Sequence, residues 1–109
     1  MKQFTAEYTD EALEQYETLS FENQAKILEA IQTFELLGTK YKNINSLSNG
    51  LFEIKPKGVR AYFKYEKNRI IIIGFITLKK TQKAPQRYIE QAIINIKNYL
   101  ENKDKNHDK

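Results

Sequence analysis

The chain has 109 residues, contains no cysteine, and carries 18 Lys and Arg against 14 Asp and Glu, for a formal net charge of +4. This length suits one domain with a single core, and the lack of cysteine excludes disulfides and any cysteine-ligated zinc site. The polar N-terminus has no apolar signal segment, and the longest apolar run, near Ile70 to Phe75, is far shorter than a membrane span. We therefore expect a cytoplasmic protein with no membrane partner.

The charge is divided unevenly along the chain. Residues 1–50 contain four Lys or Arg against eight Asp or Glu, whereas residues 51–90 contain ten against three. We expect the second part of the chain to form a basic face that attracts a phosphate polymer or an acidic protein. A solvated lysine-rich surface with no partner is the alternative that composition leaves open.

Two helices are predicted in the acidic first part. Thr9 or Asp10 can cap a short helix whose apolar residues recur every three or four positions, and Ser20 can cap a second helix followed by Gly38. Together they form a helical hairpin with one apolar stripe, which we expect to be scaffold. The segment "TKYKNINSLSNG" (39–50) is rich in Asn, Ser and Gly and is predicted to be a loop.

From Leu51 onward the periodicity changes to that of a sheet. The segments "LFEIKP" and "VRAYFKYE" are predicted to be strands joined by the turn "KPKG". The apolar run from Ile70 to Leu78 is predicted to be a central strand that is covered on both faces. A last helix is predicted to start at Pro85, because proline is favoured at the first helical position.

These elements predict an α+β fold, with an N-terminal helical hairpin packed on a small antiparallel β-sheet and a C-terminal helix. Residues 1–101 are expected to form a single domain. Residues 102–109 contain no core-forming side chain and are expected to be a disordered polar tail.

Basic residues cluster where the predicted strands end. Lys79 and Lys80 follow the buried strand directly, and alternation along the preceding strand assigns Arg60 to its polar side. Lys55 can join them if the "KPKG" turn closes a tight hairpin. We therefore expect Arg60 to be open to solvent, so that its removal costs little packing.

Three segments, "LFEIKPKGVRAYFKY", "NRIIIIGFITLKK" and "TQKAPQRYIEQAI", resemble the RelE/HigB-like toxins of type II toxin–antitoxin systems. The resemblance covers roughly residues 7–100 in element order and 51–92 in motif, and "KKTQKAP" is similar to the phage-derived Gp49-like/HigB branch. It implies a ribosome-dependent endoribonuclease, an mRNA interferase that inhibits translation. It also implies that a small cognate antitoxin blocks the toxin in a hetero-oligomer.

The resemblance also implies roles for individual residues. Arg60 corresponds to the phosphate and transition-state contact of the family, Lys55 and Lys80 to further basic site residues, and Tyr88 to an aromatic residue early in the last helix. HigB-branch sequences commonly have Arg where this chain has Lys55 and Asn95. The spacing before "KKTQK" is closer to RelE, so the equivalence of the lysines stays open. Four further cations are expected to bind RNA phosphates rather than to catalyse: Lys57, Lys79, Lys83 and Arg87.

The chemistry of metal-independent RNA cleavage is compatible with these residue types. It requires a base for the 2′-hydroxyl, positive charge at the phosphate and an acid for the leaving oxygen. His107 is the only histidine and lies in the predicted tail, and the carboxylates are isolated or on helix surfaces, so we expect neither a metal nor another cofactor. A lysine among other cations loses its proton more readily, while a neighbouring arginine stays charged.

Two other functions are also compatible with the sequence. A ParE-like relative would inhibit DNA gyrase by binding without cleavage, and an inactive RNA-binding module would do neither. A translating extract distinguishes them, since only the nuclease produces codon-phased breaks in mRNA.

Overall fold

The computed structural model describes residues 2–107, with side chains up to residue 104. Within that range the chain forms, in order, β1 (Thr5–Tyr8), α1 (Asp10–Thr18), α2 (Phe21–Leu37), a 3₁₀ turn (Gly38–Lys40), β2 (Ile44–Ser46), β3 (Phe52–Ile54), β4 (Val59–Glu66), β5 (Ile70–Leu78) and α3 (Gln86–His107). No helix in this range is both long enough and apolar enough to cross a membrane.

The five strands of the described range form one mixed sheet in the order β1-β5-β4-β3-β2. The pairs from β2 to β5 are antiparallel, but β1 runs parallel to β5, with Thr5 opposite Ile70 and Tyr8 opposite Ile73. The α+β class is confirmed. The prediction of a purely antiparallel sheet is wrong at this edge, and the helical hairpin does not begin the fold because β1 precedes it.

The edge strand β1 is held from outside by α2. The N–H of Ala6 donates to the Glu35 carboxylate at 2.8 Å, and the N–H groups of Gln3 and Phe4 donate to the Glu35 carbonyl at 2.6 and 3.1 Å. Unpaired N–H groups at a sheet edge invite another strand to pair with them. Glu35 occupies these groups, so it both fixes β1 and protects the edge.

The predicted ends of the first two helices are confirmed. Thr9 Oγ1 accepts a hydrogen bond from the Ala12 N–H at 3.1 Å, and Ser20 Oγ accepts one from the Asn23 N–H at 3.2 Å. Gly38 follows α2 with a φ of +60°, in the left-handed region that glycine adopts without a Cβ penalty.

Helices cover both faces of the sheet. The pair α1 and α2 covers one face, where Phe34 is buried with Phe63, and α3 covers the other, where Ile96 is buried with Tyr62 and Ile72. This confirms the prediction that the strand at Ile70–Leu78 is buried on both faces. β4 is also buried on both faces along its first five residues, so its expected polar face is core there.

A bulge in β5 directs Phe75 toward α3. Tyr62 pairs with Phe75 while the next residue, Phe63, pairs with Ile73, so Gly74 is the extra residue in the ladder. An extra residue changes which face the following side chains point to. Phe75 therefore joins the cluster under α3 rather than the one under α1 and α2.

Gly74 also lets α3 approach the strand closely. A Cβ at this position would lie 2.6 Å from Ile96 Cγ1 and 2.8 Å from the Ala92 carbonyl oxygen. Asn95 Nδ2 donates to the Gly74 carbonyl at 2.9 Å, and the Asn95 side chain is buried. Asn95, one of the two departures from the HigB pattern, is therefore a packing residue at the contact between α3 and β5.

The last helix is longer than expected. α3 continues to His107, so residues 102–107 are helical where a disordered tail was predicted, while residues 108–109 lie outside the described residues. Glu7 on β1 accepts hydrogen bonds from the Tyr99 hydroxyl at 2.7 Å and from Lys103 Nζ at 2.8 Å. These bonds tie the polar end of α3 to the sheet, and the Lys103 bond is the main cause that lowers the pKa of the Glu7 carboxyl.

Gly74→Ala is expected to destabilise the fold by about 1–3 kcal/mol, because its Cβ would overlap a packed side chain and a backbone oxygen. Ile96→Ala removes the nearest side-chain atoms, so Gly74→Ala should cost less in that background. Chemical denaturation of the two single variants and the double variant measures this coupling. Additive losses in the free energy of unfolding would contradict the close contact.

Candidate functional site

A cleft of about 410 Å³ opens at the carboxyl end of β5, between the turn that joins α1 to α2 and the start of α3. One wall carries the polar residues Gln15, Ser20 and Asn23, and the other carries Lys80 and Tyr88. Gln15 also closes the strand end, since its Oε1 accepts a hydrogen bond from the Ile76 N–H at 2.7 Å. The sequence predicted the basic wall but did not indicate that the α1–α2 turn would face it.

An aromatic stack fixes the ring of Tyr88 in the first turn of α3. The Tyr88 and Phe75 rings stack with centroids 4.9 Å apart, and Phe75 stacks in turn on Tyr62 at 5.9 Å. On the outer side, the Arg87 guanidinium carbon lies 5.0 Å from the Tyr88 ring centroid. Tyr88, which lines the cleft, is thus held between the rings of Phe75 and Tyr62 on one side and the Arg87 cation on the other.

The cations around Tyr88 lower the pKa of its hydroxyl. The main cause is Arg87, whose Nη2 donates to the Tyr88 oxygen at 3.4 Å, and Lys80 adds a smaller electrostatic contribution in the same direction. Positive neighbours favour the phenolate over the neutral phenol. By contrast, burial raises the pKa of Tyr8 and Tyr99 to about 12, so Tyr88 loses its proton at lower pH than either.

Arg60 is buried, and the expectation that it is open to solvent is wrong. Its side chain is 1% exposed, and its Nε lies 3.3 Å from Oε2 of Glu53, which is itself 3% exposed. Its Nη2 donates to the carbonyls of Thr81 at 2.7 Å and Gln82 at 3.0 Å. The physical reason is that α3 and the loop of residues 79–85 cover the face of β4 that carries Arg60, which consequently does not line the cleft.

Glu53 is the residue of this region that the sequence analysis missed. The sequence predicts an isolated carboxylate, but Glu53 lies opposite Tyr62 in the β3–β4 pairing, diagonally across from Arg60. Asn45 Nδ2 donates to its second oxygen, Oε1, at 3.2 Å. Tyr62 completes the cluster: burial raises the pKa of its hydroxyl, which has no hydrogen-bond partner among the described residues.

The other predicted cations are distributed around this loop. The Lys79 N–H donates to the Gly58 carbonyl at 2.9 Å, which joins the loop to the β3–β4 turn that carries Lys57. Lys55 is half-buried beside that turn and does not line the cleft, whereas Lys57, Lys80, Lys83 and Arg87 are exposed. Among the described side chains, no group of three or more His, Cys, Asp and Glu is placed to hold a metal ion.

The chain matches the family model described as "Phage derived protein Gp49-like (DUF891)" over residues 14–97. Curated protein sequences give no match.

Several solved structures share the fold. A double mutant of the E. coli toxin RelE in the free state has a TM-score of 0.67 at 13% identity, covering 88% of this chain and 99% of that chain. The toxin–antitoxin complex RelBE2 from Mycobacterium tuberculosis gives a TM-score of 0.60 at 15% identity, covering 70% and 98%. The archaeal RelE–RelB complex from Pyrococcus horikoshii OT3 gives a TM-score of 0.58 at 12% identity, covering 72% of this chain and 97% of that chain.

Arg60→Ala is expected to lower the free energy of unfolding by about 3–5 kcal/mol, because it leaves the Glu53 carboxylate buried without its partner. Lys57→Ala, which removes an exposed cation from the adjacent turn, is the matched control and should change stability by less than about 0.5 kcal/mol. Urea denaturation of both variants measures the difference. Equal stability of the two variants would show that the buried pair contributes nothing.

Arg87→Gln is expected to raise the pKa of Tyr88, because it removes the charge that favours the phenolate and weakens the hydrogen bond. Lys80→Ala should raise it by less. NMR titration of ring-labelled tyrosine follows this hydroxyl directly. Lys26→Ala, which breaks an ion pair with Glu22 on α2, is the control and should leave the Tyr88 titration unchanged. An unchanged pKa in Arg87→Gln would contradict the assigned cause.

Proposed function

The chain belongs to the Gp49-like family of phage-derived proteins, and on that basis and its RelE-like fold we propose that it is the toxin of a type II toxin–antitoxin system. Its activity would be ribosome-dependent endonucleolytic cleavage of mRNA, which inhibits translation. The observation that carries the proposal is the cleft where Lys80 and Tyr88 lie together, with Arg87 beside the Tyr88 hydroxyl.

The side chains at this cleft suit a metal-independent cleavage. A base removes the proton of the 2′-hydroxyl, the 2′-oxygen forms a bond to phosphorus, and the bond from phosphorus to the 5′-oxygen breaks as an acid protonates that oxygen. Lys80 and Tyr88 are the ionisable side chains that line the cleft, and we assign the proton transfers to them as a pair. Arg87 stays charged and can hold a phosphate oxygen with two donors.

Arg60 takes no direct part in this scheme. Its guanidinium is buried against a carboxylate and two backbone carbonyls, so a phosphate would have to displace those partners to reach it. The phosphate contacts are assigned instead to the exposed cations Lys57, Lys83 and Arg87 and to the half-buried Lys79. This differs from the role that the family resemblance implied for Arg60.

Because Lys and Tyr are weak acid and base groups here, most of the rate enhancement would have to come from positioning of the RNA. Orienting the 2′-oxygen in line with the scissile bond can contribute up to ~7–11 kcal/mol in favourable cases. A ribosome surface that holds the mRNA in a bent conformation would supply this orientation. Dependence on the ribosome is therefore a physical expectation for a site built from Lys and Tyr, and it would make the protein cytoplasmic.

We also propose a cognate antitoxin as partner in a hetero-oligomer. The M. tuberculosis and P. horikoshii structures that share the fold are complexes of a toxin with its antitoxin. An antitoxin that covers the cleft would need an acidic segment against Lys79, Lys80 and Lys83, because burial of uncompensated positive charge is unfavourable.

Lys80→Ala and Tyr88→Phe are each expected to slow cleavage of ribosome-bound mRNA by about 10²–10⁴-fold, because each removes a proton-transfer group. Glu90→Ala on the exposed side of α3 should cleave like the unmodified protein. Primer extension on mRNA from a purified translation system measures the breaks, and thermal melts establish that each variant is folded.

The same assay separates the alternatives. Codon-phased breaks that disappear in Lys80→Ala support the nuclease. Inhibition of gyrase supercoiling without mRNA breaks would identify a ParE-like inhibitor, and RNA binding with neither effect would identify an inactive binding module. Either of the last two results would overturn the proposal.

A further inference from the structure

We propose that Glu53 is a positioning residue for this cleft: through Arg60 it holds the loop of residues 79–85 so that Lys80 lies with Tyr88 on one wall of the cleft. The inference rests on the proposed function of the cleft for its catalytic consequence, and on the geometry alone for the hold on the loop. Glu53 does not line the cleft, so it acts only through Arg60 and the loop.

Arg60 is the link between the sheet and the middle of the loop. Its Nη2 donates to two consecutive carbonyls, those of Thr81 and Gln82, at 2.7 and 3.0 Å. Two consecutive carbonyls bound by one nitrogen fix the direction of the chain immediately after Lys80. The loop is also held at its ends, where the Lys79 N–H donates to the Gly58 carbonyl and the Pro85 carbonyl accepts from α3.

Glu53 is what keeps Arg60 beneath the loop. A buried guanidinium is strongly unfavourable without a counter-charge, and Glu53 supplies that charge at 3.3 Å from Nε. Asn45 donates to the other oxygen of the carboxylate and so fixes its orientation. Without the carboxylate, the guanidinium would move toward solvent and release the two loop carbonyls.

A small movement of the loop is sufficient to affect the reaction. Lys80 directly precedes the two anchored carbonyls, whereas Tyr88 is fixed separately by its stack on Phe75. A displacement of about 1 Å between groups that act together can cost about a hundredfold in rate. Lys57 and Arg87 lie outside the loop and continue to attract RNA, so the defect should appear in the chemical step rather than in binding.

The test compares Glu53→Gln with the unmodified protein. Glu53→Gln keeps the shape and one acceptor oxygen but removes the charge. We expect kcat for cleavage of ribosome-bound mRNA to fall by at least about tenfold, with KM changed less than about threefold. Hydrogen exchange of the Lys79 amide should accelerate by at least about tenfold while the amide of Ile72, at the centre of β5, keeps its protection. Glu66→Gln, at the far end of β4, is the matched control and should change neither.

Two results would overturn the inference. Unchanged cleavage with an unchanged Lys79 amide would show that Glu53 does not hold the loop. Faster cleavage by Glu53→Gln would show that Arg60 contacts the phosphate directly and that Glu53 restrains it. If Glu53→Gln does not fold, the double variant Glu53→Met/Arg60→Met, which removes both charges, is tested in its place. We expect the same fall in kcat and the same faster exchange of the Lys79 amide.

The two proposals fail in different ways. If the unmodified protein does not cleave mRNA, the proposed function is wrong, and the exchange of the Lys79 amide in Glu53→Gln still decides whether Glu53 holds the loop. If the unmodified protein cleaves and Glu53→Gln matches it in both measurements, only the positioning role is wrong.

Discussion

The buried ion pair of Arg60 and Glu53 determines where the basic loop lies on the sheet. Removing both charges from water is costly, and their attraction offsets this cost only when the remaining polar atoms also have partners. Nη2 of Arg60 has the carbonyls of Thr81 and Gln82 and Oε1 of Glu53 has the amide of Asn45, whereas Nε and Oε2 are in ionic contact without a hydrogen bond. The pair is buried because α3 packs closely on β5, which depends on the absence of a side chain at Gly74. The position of the loop is therefore determined by two buried features, the Arg60–Glu53 ion pair and the packing of α3 on β5.

Local patterns in the sequence predicted the elements that are long enough to show a period or that have a distinct cap. The capping residues Thr9 and Ser20, the glycine after α2 and the doubly covered strand at Ile70–Leu78 were found in this way. β1 was missed because its four residues show too little alternation, and β2 was missed because its three residues lie in a segment whose Asn, Ser and Gly content is typical of a loop. β1 also pairs with a strand more than sixty positions away, and this non-local pairing is what makes the sheet mixed.

The sequence contains a pattern that predicts burial of Arg60, although alternation along β4 alone assigns it to a solvent-exposed face. The sequence shows apolar stripes on the helical hairpin and on α3, where Ile89, Ala92 and Ile96 repeat at helical spacing. Two separate apolar layers require a sheet with two buried faces, so alternation along β4 could not have left a solvent face. A charged residue at such a position must find a buried partner, and Glu53 on the neighbouring strand is the carboxylate within reach.

The two groups assigned to proton transfer are both positioned from the face of the sheet that α3 covers. Arg60 holds the loop after Lys80, and the bulge at Gly74 turns Phe75 to the same face, where it stacks on Tyr88. Tyr62 lies between these supports, in contact with Phe75 and beside the ion pair. Lys80 and Tyr88 lie on different segments, but both are supported by side chains on the face of the sheet that α3 covers. A change in how α3 packs on the sheet would displace both supports together, whereas a change confined to the α1–α2 turn would alter only the opposite wall of the cleft.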